Sequence, residues 1–459
     1  MIGKYWYLFD NVKTDSKEAE ITLWLSLPQN YRNTLITTYD FSPRPFKIVT
    51  DEYGLNNVAL WRIKDIKDNR IAVKFGFNIT KSNKQIKEAI SQKERERFLR
   101  SEQWIDITSD IINTAKEVTQ FIFGIKEKAF ALFDWVVENI KYEYPDIGHR
   151  GTKCSFAVKK GDCGEFSVIY CALCRAIGIP ARTVTCLWYN SSGHQWSEMY
   201  IDDEGWVPVD TSLAKELKYP YSIITNKDRR DGFIEELGLN GKEYTYLFGN
   251  TYKNTLVVYR GNNNTYNYEE SGLTRTFVYM QPGGMSAFPN GYEFKNLDTH
   301  IVHGGLLDFS NQPIEEIFKR FRKESAERYL QNGLVEEGIE GLKTRLIANE
   351  HDTEALFYLG SIYFEMKQYE KAEIYLHESL SYLGGSTKVV NDTWANIQLG
   401  QIHDIRNERS KAVEYYKRSL KLGIDYAGSL AIVNKYLIKP YVNTGNDVEK
   451  DTSIGKNFA

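Results

Sequence analysis

The stretch Lys160-Gly161-Asp162-Cys163-Gly164-Glu165-Phe166-Ser167 places the tightest constraint on how this chain can fold. Two glycines flank a cysteine in a turn, and the chain passes straight into an apolar helical segment, Val168 to Gly178, ended by Gly178-Ile179-Pro180. Two strand-like runs follow. The first carries Gly193-His194-Gln195-Trp196, with Trp196, Glu198 and Tyr200 alternating against Ser197, Met199 and Ile201. After the turn Asp202-Asp203-Glu204-Gly205 the second, Trp206-Val207-Pro208-Val209-Asp210, comes back. A turn, a helix and a hairpin in succession call for a mixed α+β unit, with a cysteine, a histidine and an aspartate each at the edge of a regular element.

Such residues have ordinary uses. A cysteine is commonly a small core hydrophobe, a strand histidine a satisfied core or surface residue, and an aspartate after a strand a turn or cap residue. Their conjunction points to chemistry. A thiol needs a base and a positive local field to act as a nucleophile, and a helix N-terminus supplies both N–H donors and such a field. The base needs a third group to fix its tautomer. His194 and Asp210 are 16 residues apart. In an antiparallel hairpin that brings them within about three residues of direct opposition, close enough for a hydrogen bond between strands. The same helix start can offer a donor to the oxyanion of an acyl-transfer intermediate.

On each side of this region the apolar pattern differs. Ile21, Leu23, Leu25 and Leu27, then Ile71, Val73, Phe75, Phe77 and Ile79, keep a period of two and predict a small antiparallel sandwich, with turns at Pro28, Ser42-Pro43-Arg44-Pro45 and Asp51-Glu52-Tyr53-Gly54. From Lys84 to Arg97 the composition suits a linker or an exposed helix start. Trp104, Ile107, Ile111, Ile112 and Ala115 form a loose helical stripe. Ala129, Leu132, Phe133, Val136 and Ile140 form a regular one, which Pro145 stops. Leu256 to Tyr259 and Thr276 to Tyr279 read as further strands, with loops at Asn262-Asn263-Asn264 and Pro282-Gly283-Gly284.

After about Phe318 long amphipathic helices take over. Leu356, Leu359, Gly360, Tyr363, Ala372 and Leu376 have the spacing of a tetratricopeptide repeat. A shift of 40 finds Leu399, Gly400, His403, Ala412 and Tyr416, with the added length around Gly384-Gly385-Ser386, and a shift of −34 finds Ala326, Tyr329, Gly338 and Leu342. Such a stack either presents a groove to a protein partner or braces its neighbour. The expected domains are a β-sandwich over 1–85, an α+β core with a β extension over 86–315, a helical repeat stack over 316–442 and a flexible tail over 443–459.

A formal net charge of −3 gives no electrostatic case for nucleic acid or an anionic membrane. The longest apolar runs, such as Ala129 to Val137, fall short of the roughly 20 residues of a span. Met1-Ile2-Gly3-Lys4-Tyr5-Trp6 lacks the apolar core of a secretory signal. Five cysteines, four of them between Cys154 and Cys174, fit a reducing compartment better than a disulfide scaffold, so a cytoplasmic location is expected. Cys171 and Cys174 lie within the helix without the turns or second pair of a zinc site, and read as core. Cys154 and His149 precede the cysteine turn and could line its entrance.

Taken together, Gly161-Asp162-Cys163-Gly164-Glu165-Phe166, Cys174-Arg175-Ala176-Ile177-Gly178-Ile179-Pro180-Ala181-Arg182, His194-Gln195-Trp196-Ser197-Glu198-Met199-Tyr200 and Gly205-Trp206-Val207-Pro208-Val209-Asp210 resemble the transglutaminase-like superfamily of papain-type cysteine folds. Asp134 to Tyr142 and Leu247-Phe248-Gly249-Asn250 are similar to its flanking segments, and the likeness covers about residues 1 to 260. The resemblance implies Cys163 as nucleophile, His194 as general base and acid, Asp210 as its partner, and Trp196 and Trp206 walling the site or packed behind it. The superfamily includes crosslinking acyltransferases, peptidases, deamidases and peptide N-glycanases; with no Asp-x-Asp-x-Asp-Gly calcium loop in the sequence, a cysteine hydrolase of peptidase or amidase type is expected, acting on a peptide or protein without a cofactor or metal. The alternatives are a non-enzymatic adaptor working through the repeats and a protein-glutamine acyltransferase.

Overall fold

The computed structural model describes all residues except 33, 65, 67–68, 82–87, 144–149, 190–192, 225–226, 263, 271–272, 280–289, 298–300, 383–387, 424–427 and 443–459. Lys84, Pro145, His149, Asn263, Pro282-Gly283-Gly284, Gly384-Gly385-Ser386 and the tail 443–459 lie outside the described residues. The chain forms two compact units, residues 1–223 with 229–312, and 313–459 with the short segment 224–228.

The first unit begins with six strands: β1 Ile2–Asp10, β2 Glu20–Ser26, β3 Thr34–Ser42, β4 Lys47–Thr50, β5 Asn57–Ile63 and β6 Arg70–Lys81. Helices α1 Gln92–Arg97, α2 Ser109–Thr119 and α3 Ile125–Asn139 follow, then α4 Thr152–Val158 and α5 Cys163–Ala176, with the short parallel pair β7 Lys141–Tyr142 and β8 Lys160–Gly161 between them. Strands β9 Ala181–Trp188, β10 Gly193–Ile201 and β11 Gly205–Val209 lead to α6 Thr211–Lys218 and α7 Lys227–Glu236. The rest of the unit is β12 Thr255–Arg260, the hairpin β13 Asn264–Glu270 and β14 Leu273–Tyr279, and β15 Asn290–Lys295 and β16 Val302–Asp308.

Two four-stranded antiparallel sheets, ordered β16-β1-β6-β3 and β15-β2-β5-β4, make the sandwich. The period-two residues Ile21, Leu23, Leu25, Val73, Phe75 and Phe77 are buried in the cluster between them, as one inward face per strand requires. Two of its strands come from beyond the expected boundary at 85. β15 pairs with β2 and β16 with β1, covering edges that would otherwise expose unpaired N–H and C=O groups. No local pattern announces which edge a strand two hundred residues downstream will join.

A third sheet, ordered β11-β10-β9-β12 and antiparallel throughout, packs against α5. Eleven residues of α5 are buried, so the helix is apolar on nearly every side, as a central helix must be. It starts at Cys163, a turn and a half before the predicted Val168, because Asp162 and Glu165 form a capping box that begins it early. α2 likewise begins at Ser109, capped by Thr108, so Ile111 and Ala115 of the loose stripe are helical and Trp104 and Ile107 precede the helix. The regular stripe Ala129, Leu132, Phe133 and Val136 is the buried face of α3.

The second unit is a helical stack: α8 Ile314–Glu324, α9 Ala326–Gln331, α10 Val335–Ala348, α11 Thr353–Glu365, α12 Tyr369–Ser381, α13 Lys388–Ile405, α14 Arg409–Leu422 and α15 Ser429–Ile438. Small residues mark the closest approaches. A Cβ added at Gly360 would stand 2.7 Å from Leu376 Cγ and 3.0 Å from the Leu376 backbone nitrogen, and one at Gly400 would stand 2.4 Å from Tyr416 Cε1. No helix among the described residues is long and apolar enough to cross a membrane.

Replacing a helix-interior glycine by alanine ordinarily stabilises by roughly 0.5–1 kcal/mol. At Gly360 the added methyl meets backbone that cannot swing away, so Gly360→Ala is expected to destabilise the stack by about 1–3 kcal/mol. Denaturant unfolding of wild type and variant checks the sign.

Candidate active site

Cys163 occupies the first position of α5, held there by carboxylates on both sides of the helix start. Asp162 is the N-cap, accepting from the Gly164 N–H at 2.8 Å and from the Glu165 N–H, while Glu165 Oε2 accepts from the Asp162 N–H at 3.3 Å. The Arg150 guanidinium bridges the two carboxylates, Nη1 lying 2.6 Å from Asp162 Oδ2 and 2.8 Å from Glu165 Oε2. Burial and the neighbouring Asp162 charge raise the Glu165 carboxyl above its usual range, against the pull of Arg150. Only glycine fits at position 161, since a Cβ there would lie 2.2 Å from the Glu165 Cβ.

The helix start is tied to the strand that carries the histidine. Ser167 Oγ lies 2.7 Å from Cys163 O and 3.1 Å from Gln195 O, its one proton shared between these two acceptors, and Ser197 Oγ donates back to Ser167 O at 3.0 Å. Small hydroxyls thus let α5 and β10 lie close and fix their relative slide.

His194 is the second residue of β10. In the hairpin Ser197 faces Val209, so Asp210, one step past the end of β11, comes level with Trp196. His194 is two steps further along the same strand face, a diagonal neighbour within reach of a long side chain. His194 Nε2 lies 2.8 Å from Asp210 Oδ2. With a carboxylate as acceptor, Nε2 carries a proton, and Nδ1 is the ring nitrogen that Asp210 does not engage. Asp210 is itself the N-cap of α6: its Oδ1 accepts from the Leu213 N–H and from Ser212 Oγ, each at 2.9 Å. Tyr252 Oη donates to the same Oδ2 that meets His194, also at 2.9 Å.

Burial disfavours the His194 imidazolium, but the Asp210 carboxylate and the contact with Cys163 outweigh it and lift the ring from 6.5 to about 10. Burial acts on Asp210 in the opposite sense to its partners. The charge and hydrogen bond of His194, with the cap donors, hold its carboxyl below the ordinary value.

Of the two tryptophans singled out, Trp196 lies beside the histidine, its ring 6.4 Å from His194, 5.7 Å from Tyr252 and 5.8 Å from Tyr31 of the sandwich. Trp206 does not reach the site. Four residues before Asp210 on an extended strand, it belongs to a separate cluster with Phe98 and Tyr200, under the Arg182 guanidinium at 3.9 Å. Three neighbours went unpredicted. Trp188 stacks on the imidazole at 4.6 Å and 17°, Tyr252 holds Asp210, and Arg150 locks the cap. The spacing Asp162-x-x-Glu165 is a readable capping-box signal; Trp188 and Tyr252 have no local signature, because pairing across the sheet brings them in.

Cys171 and Cys174 are fully buried on α5 and Cys186 on β9. Burial pushes the Cys171 thiol up to about 12 and raises the Cys174 and Cys186 thiols as well. Among the described residues no group of three His, Cys, Asp or Glu side chains is placed to hold a metal ion.

Residues 112–211 match the family model of the transglutaminase-like superfamily. No curated protein matches the sequence. Among solved structures, the chain is similar to a candidate cysteine protease from Cytophaga hutchinsonii, at 14% identity over 68% of this chain and 93% of that one, with a TM-score of 0.37. It is also similar to the periplasmic domain of TgpA from Pseudomonas aeruginosa, at 16% identity over 44% of this chain and 91% of that one, with a TM-score of 0.26. A third, described as a TGase, is 15% identical over 32% of this chain and 42% of that one, with a TM-score of 0.19.

A histidine whose folded value is raised contributes stability that is complete below about 6.5 and is lost as pH climbs through about 10. Wild type is therefore expected to exceed His194→Gln in thermal stability most below pH 6.5, with the gap closing toward pH 10. A gap that stays constant across this span would show that the ring is not held as an imidazolium.

Proposed function

We propose that this chain, whose residues 112–211 form a transglutaminase-like domain, is a cysteine hydrolase acting on amide bonds of a peptide or protein. The observation that carries the reading is the 2.8 Å contact of His194 Nε2 with the capped Asp210 carboxylate, on the strand packed against the helix that Cys163 begins. A nucleophile, a base and an orienting carboxylate in hydrogen-bond sequence are what acyl transfer from an amide requires.

In the proposed reaction the one proton shared by Cys163 and His194 sits on Nδ1, as the raised value of the ring requires, and the sulfur adds to the amide carbonyl carbon. A C–S bond forms and the carbonyl π pair moves onto oxygen. Asp162 already takes the amides of Gly164 and Glu165, so the Cys163 N–H is the donor left at the helix start for that oxygen. The pair returns, the C–N bond breaks, and His194 gives its proton to the departing amine, leaving a thioester. Water then gives a proton to His194 and its oxygen to the carbonyl carbon. The C–S bond breaks, releasing a carboxylic acid and restoring the thiolate beside the imidazolium. Asp210 keeps the ring in the tautomer that both transfers need and balances the imidazolium between them.

Iodoacetamide at neutral pH is expected to label Cys163 first, the partly exposed Cys154 more slowly, and Cys171, Cys174 and Cys186 only on unfolding. Asp210→Asn is expected to slow labelling of Cys163 at least tenfold, by removing the charge that stabilises the imidazolium. Peptide mapping reads both. Equal rates at Cys163 and Cys154 would sink the activated-thiolate reading. Incorporation of a labelled amine into a glutamine peptide, in place of release of acid, would assign the chain to transfer instead of hydrolysis.

A further inference from the structure

Between α2 and α3 the chain turns through Gln120-Phe121-Ile122-Phe123-Gly124 and leaves large apolar side chains in solvent. Phe121 is 83% exposed, Phe123 91% and Ile125, at the start of α3, 52%. The turn is pinned on both sides. The Ile122 N–H donates to Thr119 O at 3.1 Å, and Gly124 begins α3 at a φ of 91°. Lys126 Nζ reaches Glu204 Oε1 at 2.7 Å, tying the first turn of α3 to the turn between β10 and β11. Ile122 is half-buried, whereas the rings on either side of it project outward.

An isolated exposed apolar side chain needs no partner, but three within five residues on one projecting tip form a patch of roughly 400 Å². A stable protein interface takes about 800 Å² from each partner, twice what this tip holds. Exposed polar residues bound the patch: Lys116, Glu117, Gln120, Lys126 and Glu127. A ring exposed to this degree has almost no protein beside it, so a partner chain would have to supply a deep pocket for each one. The boundary between headgroups and acyl chains closes around any projecting apolar group. Around the tip Lys116 and Lys126 balance Glu117 and Glu127, a rim matched to headgroups that carry both charges.

We propose that the tip from Phe121 to Ile125 inserts into the interfacial layer of a zwitterionic lipid bilayer and holds the chain at a membrane surface. The attraction is apolar, in keeping with a formal net charge of −3, which offers no pull toward an anionic surface. The tip lies away from the chemistry. α3 leads from it to β7, which pairs with β8 directly before Asp162 and Cys163, so the nucleophile stands near the far end of a 15-residue helix. Such a helix is about 22 Å long. Insertion therefore leaves Cys163 in the aqueous phase, and the inference holds whatever reaction the site performs.

Flotation of the full chain with phosphatidylcholine vesicles tests it. Wild type is expected to float with the vesicles equally at about 0.1 M and about 1 M NaCl, where charge attraction is screened. Phe121→Ser combined with Phe123→Ser is expected to lower the partition into vesicles by about tenfold or more, and Phe123→Trp to preserve it. Both positions stand in solvent, so the thermal midpoint and the iodoacetamide rate at Cys163 are expected to match wild type in every variant. Wild type left behind by the vesicles, serine variants that float as well as wild type, or flotation abolished by the higher salt would each overturn the proposal. So would a dimer in sedimentation velocity, in place of flotation, that the serine substitutions dissociate, which would assign the tip to a second copy of the chain.

Discussion

The carboxylate of Asp210 is the interaction on which the rest of the site depends. It is 3% exposed, and a buried charge is tolerable only when its lone pairs are filled. Here they are. One oxygen takes the Leu213 amide and the Ser212 hydroxyl, the other takes His194 Nε2 and the Tyr252 hydroxyl. A carboxylate accepts at about four positions, so the set is complete. The pair that caps α6 fixes the plane of the group, and the imidazole must approach the oxygen that remains. Orientation of the ring therefore follows from the way a helix begins.

What surrounds the ring comes from three parts of the chain. Trp188 stacks on one face, Trp196 and Tyr252 close in from the strand and the following segment, and Tyr31 of the sandwich packs on Trp196. The sandwich is joined to the third sheet by polar contacts as well: the Gln29 amide bonds to Val257 O, and Asn56 bonds to both the N–H and the carbonyl of Arg260. Glu88 links Arg182 and Arg260 under the same sheet, its carboxyl held low by the two guanidiniums against the effect of burial. The N-terminal strands thus pack against the sheet that carries His194, with Leu187, Leu256 and Val258 in one buried cluster with Tyr5, Leu25 and Phe75.

Much of this was legible in the sequence, and the reason differs element by element. Ile21 to Leu27 and Ala129 to Val136 were readable because burial on one face writes a period into the chain. His194 and Asp210 could be set near each other because a hairpin converts spacing into proximity. Trp206, which the resemblance put at the wall of the site or behind it, stands four residues before Asp210 on an extended strand and packs with Phe98 and Tyr200. The apolar pattern of α5 begins only after its polar first turn, whereas the cap residues Asp162 and Glu165 mark its start at Cys163. β15 and β16 could not be assigned to the sandwich at all, since an edge strand and a strand on a separate extension have the same alternation.

Each of the three central residues also has the ordinary role that competes with a functional reading, and the two roles coincide. Asp210 is a helix cap, and its capping geometry aims the free oxygen. Cys163 is the first residue of a capped helix, which sets the sulfur at the positive end of the α5 dipole. The start of α6 does the same for the Asp210 carboxylate. Two helix N-termini thus favour negative charge on either side of one imidazole, and the ring between them is raised to about 10. The helix starts are built into the backbone, so this bias toward negative charge on both sides of the ring does not depend on solvent. Both helix starts act through fixed backbone geometry, and a low-dielectric surrounding strengthens each of these interactions.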